Sequence, residues 1–211
     1  MIRRLFAVAT LLVLTVKPAM GQLPGIELEP YIGVFIPIMD VIDQEVDTED
    51  VVAGQKEALA VGGRITLWLG GALGVEGNFG YAFSDVTVSE GGVASDTSAN
   101  VYAADARLVL KFGIPLAPVS FHVNGGVALI GRSGDAYDDV SDGKTNVGGV
   151  VGLGTRVKLP GILAIRADAD AYLYKTRLTI DNEEFGGEFQ FDSQFQSDIL
   201  LSAGLVIGLG P

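Results

Sequence analysis

From Leu73 to Ser84 the chain reads LGVEGNFGYAFS, and its alternate positions separate by polarity. Leu73, Val75, Phe79, Tyr81 and Phe83 share one face with Gly77, while Gly74, Glu76, Asn78, Gly80, Ala82 and Ser84 share the other. Successive side chains of an extended strand point to opposite sides of its sheet, so this stretch predicts a strand with one apolar and one polar face. The pattern recurs. Tyr102, Ala104, Ala106, Leu108, Leu110 and Phe112 oppose Asp105, Arg107 and Lys111. Ile199, Leu201, Ala203, Leu205, Ile207 and Leu209 oppose Asp198, Ser202, Gly204 and Gly208.

Extending that reading gives eight strands, near 26–39, 57–69, 72–84, 100–112, 118–130, 145–158, 162–179 and 197–209. Their connections alternate. Gly70-Gly71, the segment from Gly113 to Ala117 and Pro160-Gly161 are short, whereas 40–56, 85–99, 131–144 and 180–196 are long. Short turns at one end and long loops at the other predict an all-β, eight-stranded antiparallel up-and-down transmembrane barrel, with both termini on the short-turn side. Of the 26 acidic residues, only Glu27, Glu29, Glu76, Asp105, Asp168, Asp170 and Asp198 fall outside the long segments and their edges, and each lies on the polar phase of its strand. Lys175 and Arg177 break phase, but near the long-loop end of their strand, where a lipid-facing charge costs little. A soluble ligand-carrying barrel would need the reverse arrangement, with the apolar face inward and the charges outward.

Composition agrees. The chain is 48% hydrophobic with a mean hydropathy of +0.39, yet carries a formal net charge of -12, so charge and apolar surface must be segregated. Arg3 and Arg4, the apolar run from Leu5 to Val16 and Ala19-Met20-Gly21 predict an export signal over residues 1–21 and a mature barrel over 22–211. Loss of Arg3, Arg4 and Lys17 takes the net charge to -15, which disfavours nucleic acid as a partner. There is no cysteine, hence no disulfide framework. The longest uncharged mature stretch, Phe112 to Gly131, is broken by Pro115, Pro118, His122 and Asn124, so a membrane crossing would have to be a closed barrel.

The glycine-rich strands Val123-Asn124-Gly125-Gly126-Val127-Ala128-Leu129 and Val147-Gly148-Gly149-Val150-Val151-Gly152-Leu153-Gly154-Thr155-Arg156, with the strand from Leu163 to Tyr172, resemble the small outer-membrane β-barrels of the OmpA-transmembrane and opacity-protein type. The resemblance implies the outer membrane of a Gram-negative cell as location, lipid as surroundings, and no catalytic signature. Two features depart from it. The chain ends Leu209-Gly210-Pro211 without the usual terminal aromatic, and Pro30 and Pro37 predict a bulge or a shortened first strand.

The candidate site is the lumen. Glu29, Arg64, Glu76 and Arg107 lie at comparable heights on the first four strands with alternating sign, which predicts a cross-strand ion ladder filling the interior. Asp105, Arg156, Arg166, Asp168 and Asp170 are the further lumen charges. His122 is the only histidine and is read as a hydrogen-bonded lumen residue beside Asn124, and Trp68 as packing inside. Tyr81, Phe83 and Tyr102 near the long loops, and Phe112 and Phe121 near the short turns, predict two aromatic girdles. The acidic loops, Asp40 to Glu57 and Asp135, Asp138, Asp139 and Asp142, could gather divalent cations through hard oxygen ligands, although neither has EF-hand spacing. No cofactor is implied, and a monomer is expected. Three functions stay open: a non-enzymatic structural or surface-interaction role, a narrow pore for small solutes, and a lipid A-modifying enzyme.

Overall fold

The computed structural model describes residues 25–38, 42–46, 49–90, 93–137, 140–142, 144–176, 179–182, 187–190 and 194–209. Eight strands close into one barrel: β1 (Gly25–Pro37), β2 (Ala58–Trp68), β3 (Leu73–Ala82), β4 (Asn100–Gly113), β5 (Val119–Ser133), β6 (Thr145–Lys158), β7 (Leu163–Thr176) and β8 (Gln194–Leu209). Each pairs antiparallel with its sequence neighbours, and β8 pairs back onto β1. Closure leaves no open sheet edge, the condition for a sheet to lie in hydrocarbon.

Register fixes the barrel's dimensions. A line at right angles to the strands runs from Glu27 through Thr66, Glu76, Arg107, Gly126, Val150, Tyr172 and Asp198. It returns to β1 at Pro37, ten residues above its start. That shear tilts the strands by about 40°, sets a backbone radius of about 8 Å, and gives each residue about 2.5 Å of height.

The alternation in 73–84 is realised. Glu76 and Asn78 are buried, while Val75, Phe79 and Phe83 are exposed. The outer surface of the barrel is apolar: the outward positions of β2 are Leu59, Val61, Ile65 and Leu67, and those of β8 include Leu201, Leu205 and Leu209. Among the described residues of the eight strands, Lys175 is the one charged side chain on the outward phase, close to the long-loop end of β7. Phe112 and Phe121 face out near the short turns, and Tyr81, Phe83 and Tyr102 lie about nine residue-heights, roughly 20 Å, above them.

Two local expectations are corrected. β1 contains both prolines, yet it runs 13 residues in one register with β2 and with β8, without a bulge. Successive backbone N–H groups point alternately to the two neighbouring strands, so Pro30 subtracts from one ladder only. The pairing with β8 skips from Leu28 to Tyr31, and the pairing with β2 continues through Pro30. Second, the long connections carry strands of their own. Ile42–Val46, Glu49–Gln55, Asp85–Glu90 and Val93–Ser98 form a four-stranded sheet above the barrel wall, and Val140–Asp142, Thr179–Asn182 and Gly187–Gln190 a three-stranded one. Residues 1–21, Arg177, Asp138, Asp139, Gly210 and Pro211 lie outside the described residues, as do most loop carboxylate side chains.

Candidate functional site

Every inward position of a narrow barrel faces every other strand, so the polar phases of β1 to β8 converge on one axis. Arg64, fully buried on β2, is the hub. Its Nη1 donates to Glu29 Oε1 at 2.7 Å and to Asp168 Oδ2 at 3.3 Å, and its Nη2 to Asp170 Oδ2 at 3.1 Å and Ser202 Oγ at 2.8 Å. Arg107 grips Asp105 with Nε and Nη2 at 2.7 and 2.8 Å. Its Nη1 lies 2.8 Å from Asp170 Oδ1, off the hydrogen-bond direction. Asn78 and the Tyr172 hydroxyl both donate to Asp105 Oδ2, at 2.8 and 3.0 Å.

Arg166 on β7 completes the lattice. Its guanidinium donates to Glu76 across the lumen, to Asp168 on its own strand, and comes within 3.2 Å of Glu29. Glu76 also accepts from Thr66 at 2.6 Å. Five carboxylates thus share three guanidinium groups deep in the barrel. Four of the five acids accept several charge-assisted hydrogen bonds, the condition under which charge tolerates removal from water; Glu29 accepts one, from Arg64, and its Oε2 has no hydrogen-bond partner.

The four ladder residues are therefore brought together, with a geometry that strand alternation alone does not contain. Glu29 and Arg64 meet directly across β1 and β2. Along the wall, Glu76 is 4.0 Å from Arg64 and 3.9 Å from Arg107. The shorter bonds run elsewhere: Glu76 accepts from Thr66 and from Arg166 on β7, Arg64 donates to Glu29 on β1 and Ser202 on β8, and Arg107 to Asp105 on its own strand. Asp105, Arg166, Asp168 and Asp170 belong to the same lattice. Arg156 does not. It pairs with Glu27 at the short-turn mouth, where the Lys111 ammonium also lies 3.9 Å from the centre of the Trp68 ring. His122 bonds through Nε2 to Asp168 and lies 3.1 Å from Arg166 Nε; Asn124 beside it donates to Asp170 at 3.0 Å instead. Among the described residues, no group of three or more His, Cys, Asp or Glu is arranged to hold a metal ion.

Above the lattice the lumen turns apolar. Phe35, Ala60, Ala82, Val101, Ile130, Val150, Tyr172 and Leu200 pack inward as one cluster. A gap of about 20 Å³ among them has room for about one water molecule. Tyr31 divides the two zones: the Arg64 guanidinium stacks 4.3 Å from the centre of its ring. The ring edge lies over Gly62 and Gly80, where a Cβ would come within 2.3 and 2.5 Å of its hydroxyl. Nothing in the polarity of the apolar layer's residues sets them apart from the outward-facing ones. A polar triad, Arg132, Tyr174 and Asp198, lies nearer the long-loop end. Asp198 was legible from its phase, but Arg132 fell in a stretch read as loop.

Residues 6–195 match the family model described as outer membrane protein beta-barrel domain. No curated protein matches the sequence. Among solved structures, the chain is similar to the outer membrane protein OprG of Pseudomonas aeruginosa, at 14% identity and a TM-score of 0.68, covering 89% of this chain and 97% of that one. It is similar to AlkL in lipid bilayers at 14% identity and a TM-score of 0.61, covering 92% and 96%. Neisserial surface protein A gives 12% identity and a TM-score of 0.56, covering 87% and 96%. At such identities the likeness establishes the fold alone.

Proposed function

The chain belongs to the outer membrane β-barrel domain family, and on that premise we propose that it is a sealed, non-enzymatic barrel with a structural or surface-interaction role. The observation that carries this reading is the filled lumen. An ion lattice spans the barrel from β1 to β7, and an apolar layer closes the bore above it. An ion crossing that path would have to break charge-assisted bonds and then shed its water against Phe35, Ile130 and Leu200, and both steps oppose conduction.

The lipid-modifying alternative draws no support from His122. Its ring is tied to Asp168 and Arg166 inside the lattice and is almost fully buried, so it has no open side for a substrate. Contacts with other molecules then fall to the acidic long segments. Planar-bilayer recording tests the proposal. The folded chain should insert without stable conductance steps, and large, long-lived openings would replace it with the pore reading.

A further inference from the structure

The outer end of the lumen holds a buried cation with an unusual set of partners. Arg132 on β5 is 3% exposed, yet its Nη1 donates to Thr176 Oγ1 at 3.3 Å and its Nη2 to the Tyr174 hydroxyl at 2.9 Å, both neutral groups. Among the described residues no carboxylate lies within ion-pair distance of it, and its Nε has no hydrogen-bond partner. The near carboxylate, Asp198, is reached only through Tyr174, which donates to it. Every arginine in the lattice below touches at least one acid directly.

A second buried polar group without a partner lies just beyond the end of β5. The short 3-10 turn Asp135–Tyr137 follows β5 and is held down by a bond from the Asp135 amide to Ser98 Oγ at 3.0 Å. Gly134 makes this fit possible: its φ of 112° suits glycine, and a Cβ there would meet the Ser98 carbonyl at 2.5 Å. The turn delivers Tyr137 into the barrel mouth, 5% exposed, with its hydroxyl fully buried and unpartnered. The turn packs against β5, the strand that carries Arg132. Burial pushes the ionisation of Tyr137 above the ordinary value, which keeps the hydroxyl a donor.

We infer that Arg132 Nε and the Tyr137 hydroxyl are the two donors of a site for a small monovalent anion, a halide or a simple carboxylate, enclosed beneath the 3-10 turn. A guanidinium removed from water is costly when its hydrogen bonds go only to hydroxyls and its other contact is the Tyr174 ring, 5.4 Å from the ring centre, and an anion between two otherwise idle donors supplies the missing contact charge. The site is distinct from the ion lattice, from which the apolar layer separates it.

The test uses the full chain folded in detergent, with its melting followed by the gel shift between folded and heat-unfolded forms. Sodium chloride or bromide is compared with sodium gluconate, whose anion is too bulky to enter, at constant ionic strength. The expected result is a saturable rise of several degrees in chloride and bromide. Arg132→Gln should abolish that rise and Tyr137→Phe should weaken it several-fold, while Arg156→Gln, at the opposite mouth, should keep it. Coincident melting in all three salts overturns the site, and so does a full halide response in Tyr137→Phe. If Arg132→Gln does not fold, Tyr137→Phe decides the matter alone, because it removes only an unbonded hydroxyl.

Discussion

The two halves of the lumen fill the same cylinder by opposite means. Toward the short turns, Arg64, Arg107 and Arg166 bind five carboxylates in a lattice in which each charge depends on several others. Toward the long loops, Phe35, Ile130, Val150 and Leu200 pack as in the core of a soluble protein. Buried ion networks add little net stability but are costly to break, because removal of one member strands its partners. Apolar packing loses stability in proportion to the volume removed, and its neighbours are left unharmed. The lattice should therefore be brittle and the apolar layer tolerant.

The largest effect should come from Arg64→Ala. It leaves Glu29, Asp168 and Asp170 without their shared cation, at a cost of about 3–5 kcal/mol in urea unfolding from lipid or detergent. Arg64→Lys should recover only a fraction of that, since one ammonium cannot reach four acceptors on three strands. Equal stability of Arg64→Ala and the parent would remove the hub role.

Leu200→Ala should come next, at about 3 kcal/mol. Its more telling consequence concerns sealing. Leu200→Asn offers water a foothold beside the small gap in the apolar layer, and brief conductance flickers should appear in bilayer recordings if that layer is what excludes ions. If Arg64→Ala flickers and Leu200→Asn stays silent, the barrier belongs to the lattice instead.

How far the sequence spoke for each half follows from the same chemistry. A charged residue on a strand has one tolerable direction in a membrane, so Glu29, Arg64, Glu76, Arg107 and Asp168 were placed by alternation alone. Leucine, valine and alanine fit either side of the wall, so nothing in the letters distinguished inward Leu200 from outward Leu201 except phase. The cross-lumen bonds were hidden for another reason. Register with the neighbouring strand can be guessed from turn lengths, but the contacts of Arg166 with Glu76 and Arg107 with Asp170 depend on the ten-residue shear, which appears only when the barrel closes. His122 shows the same limit: its partners come from β7, not from neighbouring Asn124. The prolines of β1 leave its register intact, because a strand can lose one ladder bond on one side and keep its pairing on the other.

The boundary between the halves offers a finer test. Gly62 gives the Tyr31 ring its place, and a Cβ there would overlap both the ring and the Phe79 carbonyl, at 2.3 and 2.4 Å. Gly62→Ala should cost about 2 kcal/mol by displacing the ring. Loss of the ring also unstacks Arg64, so combining Gly62→Ala with Arg64→Ala should cost less than the two separately. Strict additivity would mean that Tyr31 belongs to the apolar layer alone.

The smallest expected effect isolates the hydroxyl of that same tyrosine. It donates to the Phe79 carbonyl at 3.3 Å, a long bond, while the ring face carries the contact with Arg64. Tyr31→Phe keeps the ring, its stacking and its fit over Gly62, and removes only the donor, so the loss should be about 0.5–1 kcal/mol. Phe79 O is a strand carbonyl with ladder partners available, which limits the penalty for leaving it without the phenol. A loss as large as that of Gly62→Ala would assign the boundary's strength to the hydrogen bond. A negligible loss, together with sub-additivity in the double variant, would assign it to the stacked guanidinium, making one aromatic ring the physical joint between a brittle ionic half and a tolerant apolar one.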